Sequence, residues 1–206
     1  IPWSDYSSDA QASINGTVGL VFIGRGGGEG GDLSRNLKAD VESGVSENFT
    51  ANSETANYED GQHELELTVE EKSVIAAAKS ACTKGIAVLN LSTTMELGPL
   101  VSGDYAVDAI LEVGSIGATG AAALGQVLAG TVNPSGKTTD IWAADFTADP
   151  TFKNFGGKRY TDIEGYYPEK STGNAYFVEY AEGLYYGYRY HETAAAEAEA
   201  GQYGGS

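Results

Sequence analysis

Two short apolar runs constrain this chain more than any other feature. Residues 18–23 and 86–91 are apolar apart from Asn90, contain β-branched side chains and are free of charge. That is the pattern of strands buried in a parallel sheet. Each run empties into a loop, the first into a glycine-rich stretch and the second into residues 93–99. Between them, Thr68-Val69-Glu70-Glu71 is a capping box, and Val74, Ile75, Ala78 and Ala81 follow at helical spacing. Lys79 and Lys84 sit late, where cations suit the helix dipole, and Gly85 is the expected stop. A third strand is expected over 106–113, then a small-residue helix over 118–128 closed by Gly130. Strand, helix, strand, helix in that order argues an α/β class. The expected fold is a mostly parallel sheet flanked by helices, an α/β sandwich with right-handed crossovers.

The first run opens into six glycines interrupted only by Arg25 and Glu29, and the stretch ends at Asp32. Glycines at this density permit φ > 0 at several positions and let another molecule approach the backbone. Ligands of open α/β sheets bind just past the carboxyl ends of strands, so Glu29 is a candidate reactive carboxylate. Two other readings stay open. Gly26, Gly28 and Gly31 satisfy the dinucleotide fingerprint G-x-G-x-x-G after a strand. Against that, Glu29 would face the pyrophosphate, and residues 45–61 are polar where a second strand should stand. The other reading is a plain glycine turn with a solvated glutamate.

Composition removes whole classes of function. Twenty-nine acidic against 12 basic residues give a net charge of −17, spread along the chain without a basic stripe. Nucleic acid and anionic membranes are therefore excluded as partners. Cys82 is the single cysteine, so it forms no internal disulfide and supports no thiolate metal site; its setting reads as packing. His63 and His191 are far apart, each without a third ligand nearby in sequence, so no metal is expected, and no cofactor. No apolar run approaches the length of a membrane span, and the first residues lack a signal-peptide layout. The chain reads as soluble, with the cytoplasm favoured over secretion, although a leader could have been removed ahead of Ile1.

Residues 1–16 read as an incoming connector, 17–192 as the sandwich domain, and 193–206 as an Ala/Glu/Gly-rich tail or linker. Within the domain, 33–45 has room for a short helix, and 48–61 reads as an exposed polar loop. From Phe146 the chain becomes aromatic and irregular, with a β-like alternation over 176–190. The tyrosines crowded at 185, 186, 188 and 190 suit either a core edge or a sugar-stacking surface.

Several of these motifs, in order, resemble the carboxyl-terminal α/β sandwich domain of glycoside hydrolase family 3, the β-glucosidase-like enzymes. Val21-Phe22-Ile23-Gly24-Arg25 leading to Gly28-Glu29-Gly30-Gly31-Asp32 is similar to the family's strand and Ser-Gly-Glu-Gly-x-Asp loop. Ala87-Val88-Leu89-Asn90 through Met95-Glu96-Leu97 resembles the next strand and loop. Asn133-Pro134-Ser135-Gly136-Lys137 matches a family turn, and Glu182-Gly183-Leu184-Tyr185-Tyr186-Gly187-Tyr188-Arg189-Tyr190 resembles a late family segment. Two departures stand out. Gly27 replaces the loop serine, and Gly117-Ala118-Thr119-Gly120 replaces a frequent Gly-Gln-Glu-Gly.

The resemblance implies a bacterial retaining β-glycosidase acting on terminal β-D-glycosides, with oligosaccharides or aryl and alkyl β-glycosides as substrates. It places the general acid/base on Glu29, with Arg25, Gly28, Gly30 and Asp32 lining the substrate. Asp32 reads as a brace of the loop, and Arg25 as a partner of Asp32, of the substrate or of another domain. The family's nucleophile is an aspartate of a TIM-barrel domain, for which these residues hold no counterpart. That barrel must then lie in the same or a companion chain, and this chain alone is expected to be inactive. A non-catalytic sugar-binding or interaction module is the alternative, and a dinucleotide-binding domain the more distant one.

Overall fold

The structure, a computed structural model, describes residues 3–26, 33–42, 55–154, 158–160 and 176–199. The chain divides into two units, residues 1–137 with 142–144, and residues 138–141 with 145–206.

The first unit holds the sheet. A 3-10 turn at Trp3–Asp5 leads into α1 (Ser8–Ser13), which Ser7 caps by accepting from the Ala10 N–H, so the expected connector contains a helix. Then come β1 (Val18–Arg25), α2 (Leu37–Glu42), α3 (Val69–Ala81), β2 (Lys84–Leu91), α4 (Gly98–Val101), β3 (Ala109–Glu112) and α5 (Gly117–Leu128). The three strands are parallel in the order β1-β2-β3. This is the α/β sandwich class that the strand-helix alternation implies.

The capping box on α3 is formed: the Glu71 N–H donates to Thr68 Oγ1 at 3.2 Å and the Thr68 N–H to Glu71 Oε2 at 2.8 Å. The helix stops earlier than the sequence suggests. It ends at Ala81 and is capped by Cys82, and Lys84 and Gly85 belong to β2. The cause is tertiary. The Gly16 N–H donates to Ala81 O and the Thr83 N–H to Thr17 O, both at 2.8 Å, which draws the chain into register with β1 before Gly85 is reached.

The register puts Val21 beside Ala87, Ile23 beside Leu89 and Arg25 beside Leu91. These residues share one face, and Ile75 and Ala78 of α3 join Val21, Ile23, Ala87, Leu89 and Leu91 in the core cluster. The other face of β1 is not covered among the described residues. Val18, Leu20 and Phe22 alternate with the buried residues, and Phe22 is 58% exposed. The expected fully buried strand is thus half-buried: its α3-facing residues are inside, and the residues alternating with them are exposed among the described residues.

The second unit carries α6 (Pro150–Asn154), a short antiparallel pair of β4 (Lys158–Arg159) with β5 (Tyr176–Phe177), and α7 (Tyr188–Glu199). The β-like alternation expected over 176–190 is corrected: only Tyr176–Phe177 is strand, and the helix begins at Tyr188. The break has a backbone cause, since Gly183 and Gly187 stand at φ +59° and +55°, outside the strand region. The Ala/Glu run expected as a tail is helical through Glu199, so residue 193 falls inside α7. Asp149 accepts from the Thr151 N–H at 2.8 Å and lies 3.3 Å from His191 Nε2, which links the start of α6 to α7. Among the described residues, no helix is long and apolar enough to cross a membrane.

Two measurements check this packing. A Cβ placed on Gly98 would lie 2.3 Å from the Ala144 carbonyl oxygen, a backbone atom with little room to give. Gly98→Ala is expected to cost about 1–3 kcal/mol or more in urea unfolding, the range for overpacking. At the other end of the sheet, Asp108 accepts from Lys84 Nζ and from the Gly85 N–H, both at 2.8 Å. The hydrogen bond from Lys84 holds the Asp108 carboxyl below its usual range, helped by the Gly85 amide. Its stabilisation is therefore present above the ordinary carboxylate range and is lost as pH falls through the lowered folded value. Melts of wild type and Asp108→Asn should differ slightly at neutral pH and low salt, and converge in acid.

Candidate active-site region at the strand ends

The carboxyl ends of β1 and β2 gather the buried polar groups of the sheet unit. β1 ends on Arg25, whose side chain is on the core face and 4% exposed. A guanidinium taken from water needs its donors satisfied, and Arg25 has four bonds. Nε donates to Glu71 Oε1 at 3.3 Å and Nη2 to Glu71 Oε2 at 2.5 Å, a two-point pairing with one carboxylate. Nη2 also donates to Glu66 O at 2.6 Å, and Nη1 donates to Glu64 O. Glu71 is the same residue that closes the capping box of α3. One carboxylate therefore serves a helix start and a strand end.

The segment that receives Arg25 is itself buried. Gln62, His63, Glu64, Leu65 and Leu67 are all inside, and the Gln62 side-chain amide donates to Leu67 O at 3.1 Å. His63 Nδ1 accepts from the Leu65 N–H at 3.2 Å, which puts the neutral ring's proton on Nε2. Nε2 lies 3.0 Å from Glu96 Oε1 and 3.7 Å from Glu66 Oε2. Glu96 sits on the loop after β2, and its N–H donates to Leu65 O at 2.9 Å. The Glu66 carboxylate accepts from the His63 N–H at 2.8 Å.

The same segment holds the chain on the far side of the glycine loop. The Glu64 N–H donates to Ser34 O at 2.9 Å and the Leu37 N–H to Gln62 O at 2.8 Å. Ser34 and Leu37 are both buried.

Of the residues named from sequence, Arg25 is placed, and its partner is Glu71, a residue outside the three options set for it. Gly28, Glu29, Gly30 and Asp32 lie outside the described residues. Sequence reading passed over His63, Glu66, Glu71 and Glu96 as a group. It gave His63 no third ligand, whereas the fold gathers ligand atoms of His63, Glu66 and Glu96 within 4.8 Å of one another. Three such atoms match the donor number of a catalytic zinc site, yet here each already works within the buried framework.

The model of the glycosyl hydrolase family 3 C-terminal domain matches residues 6–188. The chain belongs to this family. Beta-glucosidase A of Butyrivibrio fibrisolvens is 26% identical over 195 residues, covering 92% of this chain and 20% of that protein. A beta-glucosidase of Ruminococcus albus is 31% identical over 131 residues, 64% of this chain and 12% of the relative. The crystal structure of a beta-glucosidase from Paenibacillus barengoltzii shares the fold, with a TM-score of 0.61 at 20% identity, covering 93% of this chain and 16% of that one. This family 3 domain thus spans a fifth or less of the length of these relatives.

The Arg25–Glu71 pair makes a stability prediction. Glu71→Ala strands a buried guanidinium and opens the helix cap, and should cost about 3–5 kcal/mol in denaturant unfolding. Glu71→Gln keeps the capping geometry and one acceptor for Arg25, so its loss should be clearly smaller.

Proposed function

We propose that this family 3 domain supplies the general acid/base of a retaining β-glycosidase, and that the group is Glu29. The observation that carries the reading is positional. Glu29 follows four residues after the anchored end of β1, in the glycine-rich loop that the family pattern places at its acid/base. Retention requires a second carboxylate about 5–5.5 Å from the first. We assign that nucleophile to an aspartate of a TIM-barrel domain, in the same or a companion chain, so this domain alone is inactive. Glu29 would protonate the leaving oxygen as the nucleophile attacks the anomeric carbon, then deprotonate the water that releases the sugar. Gly28, Gly30 and Asp32 are proposed to border the substrate, a terminal β-D-glycoside. Arg25 stands with them in sequence, and its engagement with Glu71 supports a role through the foot of the loop.

A sugar-binding module without catalysis is the second reading. Tyr180, Tyr185, Tyr186 and Tyr188 are exposed, with Tyr180 at 80%, and exposed aromatic faces suit stacking on sugars.

The test is hydrolysis of p-nitrophenyl β-glycosides by the complete gene product with its barrel, wild type against Glu29→Gln. A fall on the order of 100-fold or more is expected for loss of general acid–base catalysis. Azide, a nucleophile needing no general base, should restore part of the rate. Near-normal activity in the variant overturns the assignment. Absence of glycoside cleavage by the wild type, with sugar binding retained, favours the second reading.

A further inference from the structure

Glycine permits more backbone conformations than any other residue, and residues 26–31 are a glycine-rich loop sequence with five of them. An acid/base carried on it needs its position set from outside, because misplacement by about 1 Å can cost on the order of 100-fold in rate. The described residues on both sides of the loop show what is available to do this. On the incoming side, Arg25 donates to the carbonyls of Glu64 and Glu66. On the outgoing side, Ser34 O accepts from the Glu64 N–H, and the Leu37 N–H donates to Gln62 O. Both feet of the loop therefore stand on one stretch of backbone, residues 62–66.

That stretch is neither helix nor strand, so no regular ladder fixes it. Isolated backbone bonds (Gln62 N–H to Glu59 O and Glu66 N–H to His63 O, both 3.2 Å) turn it locally, and buried side chains tie it to the neighbouring strand end. His63 is 3% exposed, accepts the Leu65 N–H on Nδ1 and presents Nε2 to Glu96 at 3.0 Å. Glu96 belongs to the loop after β2, and its own N–H returns to Leu65 O. Glu66 closes the turn by accepting from the His63 N–H. His63 thus connects the seat of the glycine loop to the end of the neighbouring strand.

We propose that His63 is a positioning residue for the acid/base loop: through Glu96 it fixes residues 62–66, on which Arg25 and Ser34 seat the loop. The proposal rests on the assignment of Glu29 given above. It gives Arg25 the same positioning role and no direct contact with the sugar.

The experiment uses kcat/KM of the complete enzyme, which reports the steps up to glycosyl transfer to the nucleophile. Two substrates are compared, a 2,4-dinitrophenyl β-glycoside, whose departure needs little acid, and a phenyl β-glycoside, whose departure needs a placed proton. Glu29→Gln is the reference and should be impaired chiefly on the phenyl substrate. His63→Leu and Arg25→Lys should follow the same pattern, losing about 10- to 100-fold on the phenyl substrate and about threefold or less on the dinitrophenyl one. His63→Asn keeps an acceptor for the Leu65 N–H, so it tests the idea should His63→Leu not fold, and its phenyl-specific loss should be smaller but present. A defect in folding alone lowers the active fraction and depresses both substrates equally, which would overturn the proposal. So would unchanged kinetics in all three variants, or a loss in Arg25→Lys confined to KM on both substrates, the mark of a sugar contact. Should Glu29→Gln itself show no dependence on the leaving group, the assignment of the acid/base fails, and that failure is read separately from the His63 variants.

Discussion

A guanidinium inside a protein has to be met on every side, and the carboxyl end of β1 is arranged around that demand. Arg25 meets the Glu71 carboxylate through Nε and Nη2, the Glu66 carbonyl through Nη2 as well, and the Glu64 carbonyl through Nη1. A buried ion pair of this kind adds little net stability over an apolar pair of the same size, while losing one partner is costly. What it contributes is geometry. The strand end, the first turn of α3 and residues 62–66 must adopt one mutual arrangement for the charge to be satisfied. Because Glu71 also completes the α3 cap, local helix formation and the placement of a distant strand end depend on the same two oxygens.

On the function proposed above, that arrangement suits a division of labour between domains. In a retaining glycosidase the two carboxylates must meet at a fixed separation, so a domain that carries one of them contributes chiefly by holding it still. Glycine fixes little of its own backbone, so the restraint visible here is the one at the described residues on either side of the loop sequence. Buried hydrogen bonds to backbone carbonyls serve this better than surface ion pairs, which solvent and salt weaken.

The parts legible in the sequence are those governed by local pattern. The runs at 18–23, 86–91 and 106–113 marked the three strands of the sheet, and Thr68 with Glu71 marked the start of α3 to the residue. Boundaries set by tertiary bonds escaped. Lys84 and Gly85 read as a helix end and are strand, since Thr17 and Ala81 decide where the ladder begins. The helix over Tyr188–Glu199 was hidden in plain composition: alanine and glutamate are strong helix formers, but a repetitive run reads equally well as a linker. In the site, the glycine loop and its glutamate stood out because glycine density is a one-dimensional signal. The Arg25–Glu71 pair did not, because 46 residues separate its members and each has an adequate local explanation. His63 and Glu96 escaped for the same reason, since nothing in a sequence marks a lone histidine as the neighbour of a later glutamate.

The outer face of β1 bears on how such a domain behaves in solution. Val18, Leu20 and Phe22 form an exposed apolar row on one face of β1 among the described residues, and exposed apolar patches invite association between copies. A net charge of −17 on 206 residues acts against it, because like-charged copies repel before the faces can meet. That protection is colloidal in origin. It weakens with added salt, as the screening length drops to about 8 Å near physiological ionic strength, and with acid, as the carboxylates take up protons. For the domain taken alone, charge rather than shape is then the force that opposes contact between copies, and the choice of buffer becomes part of its physical chemistry.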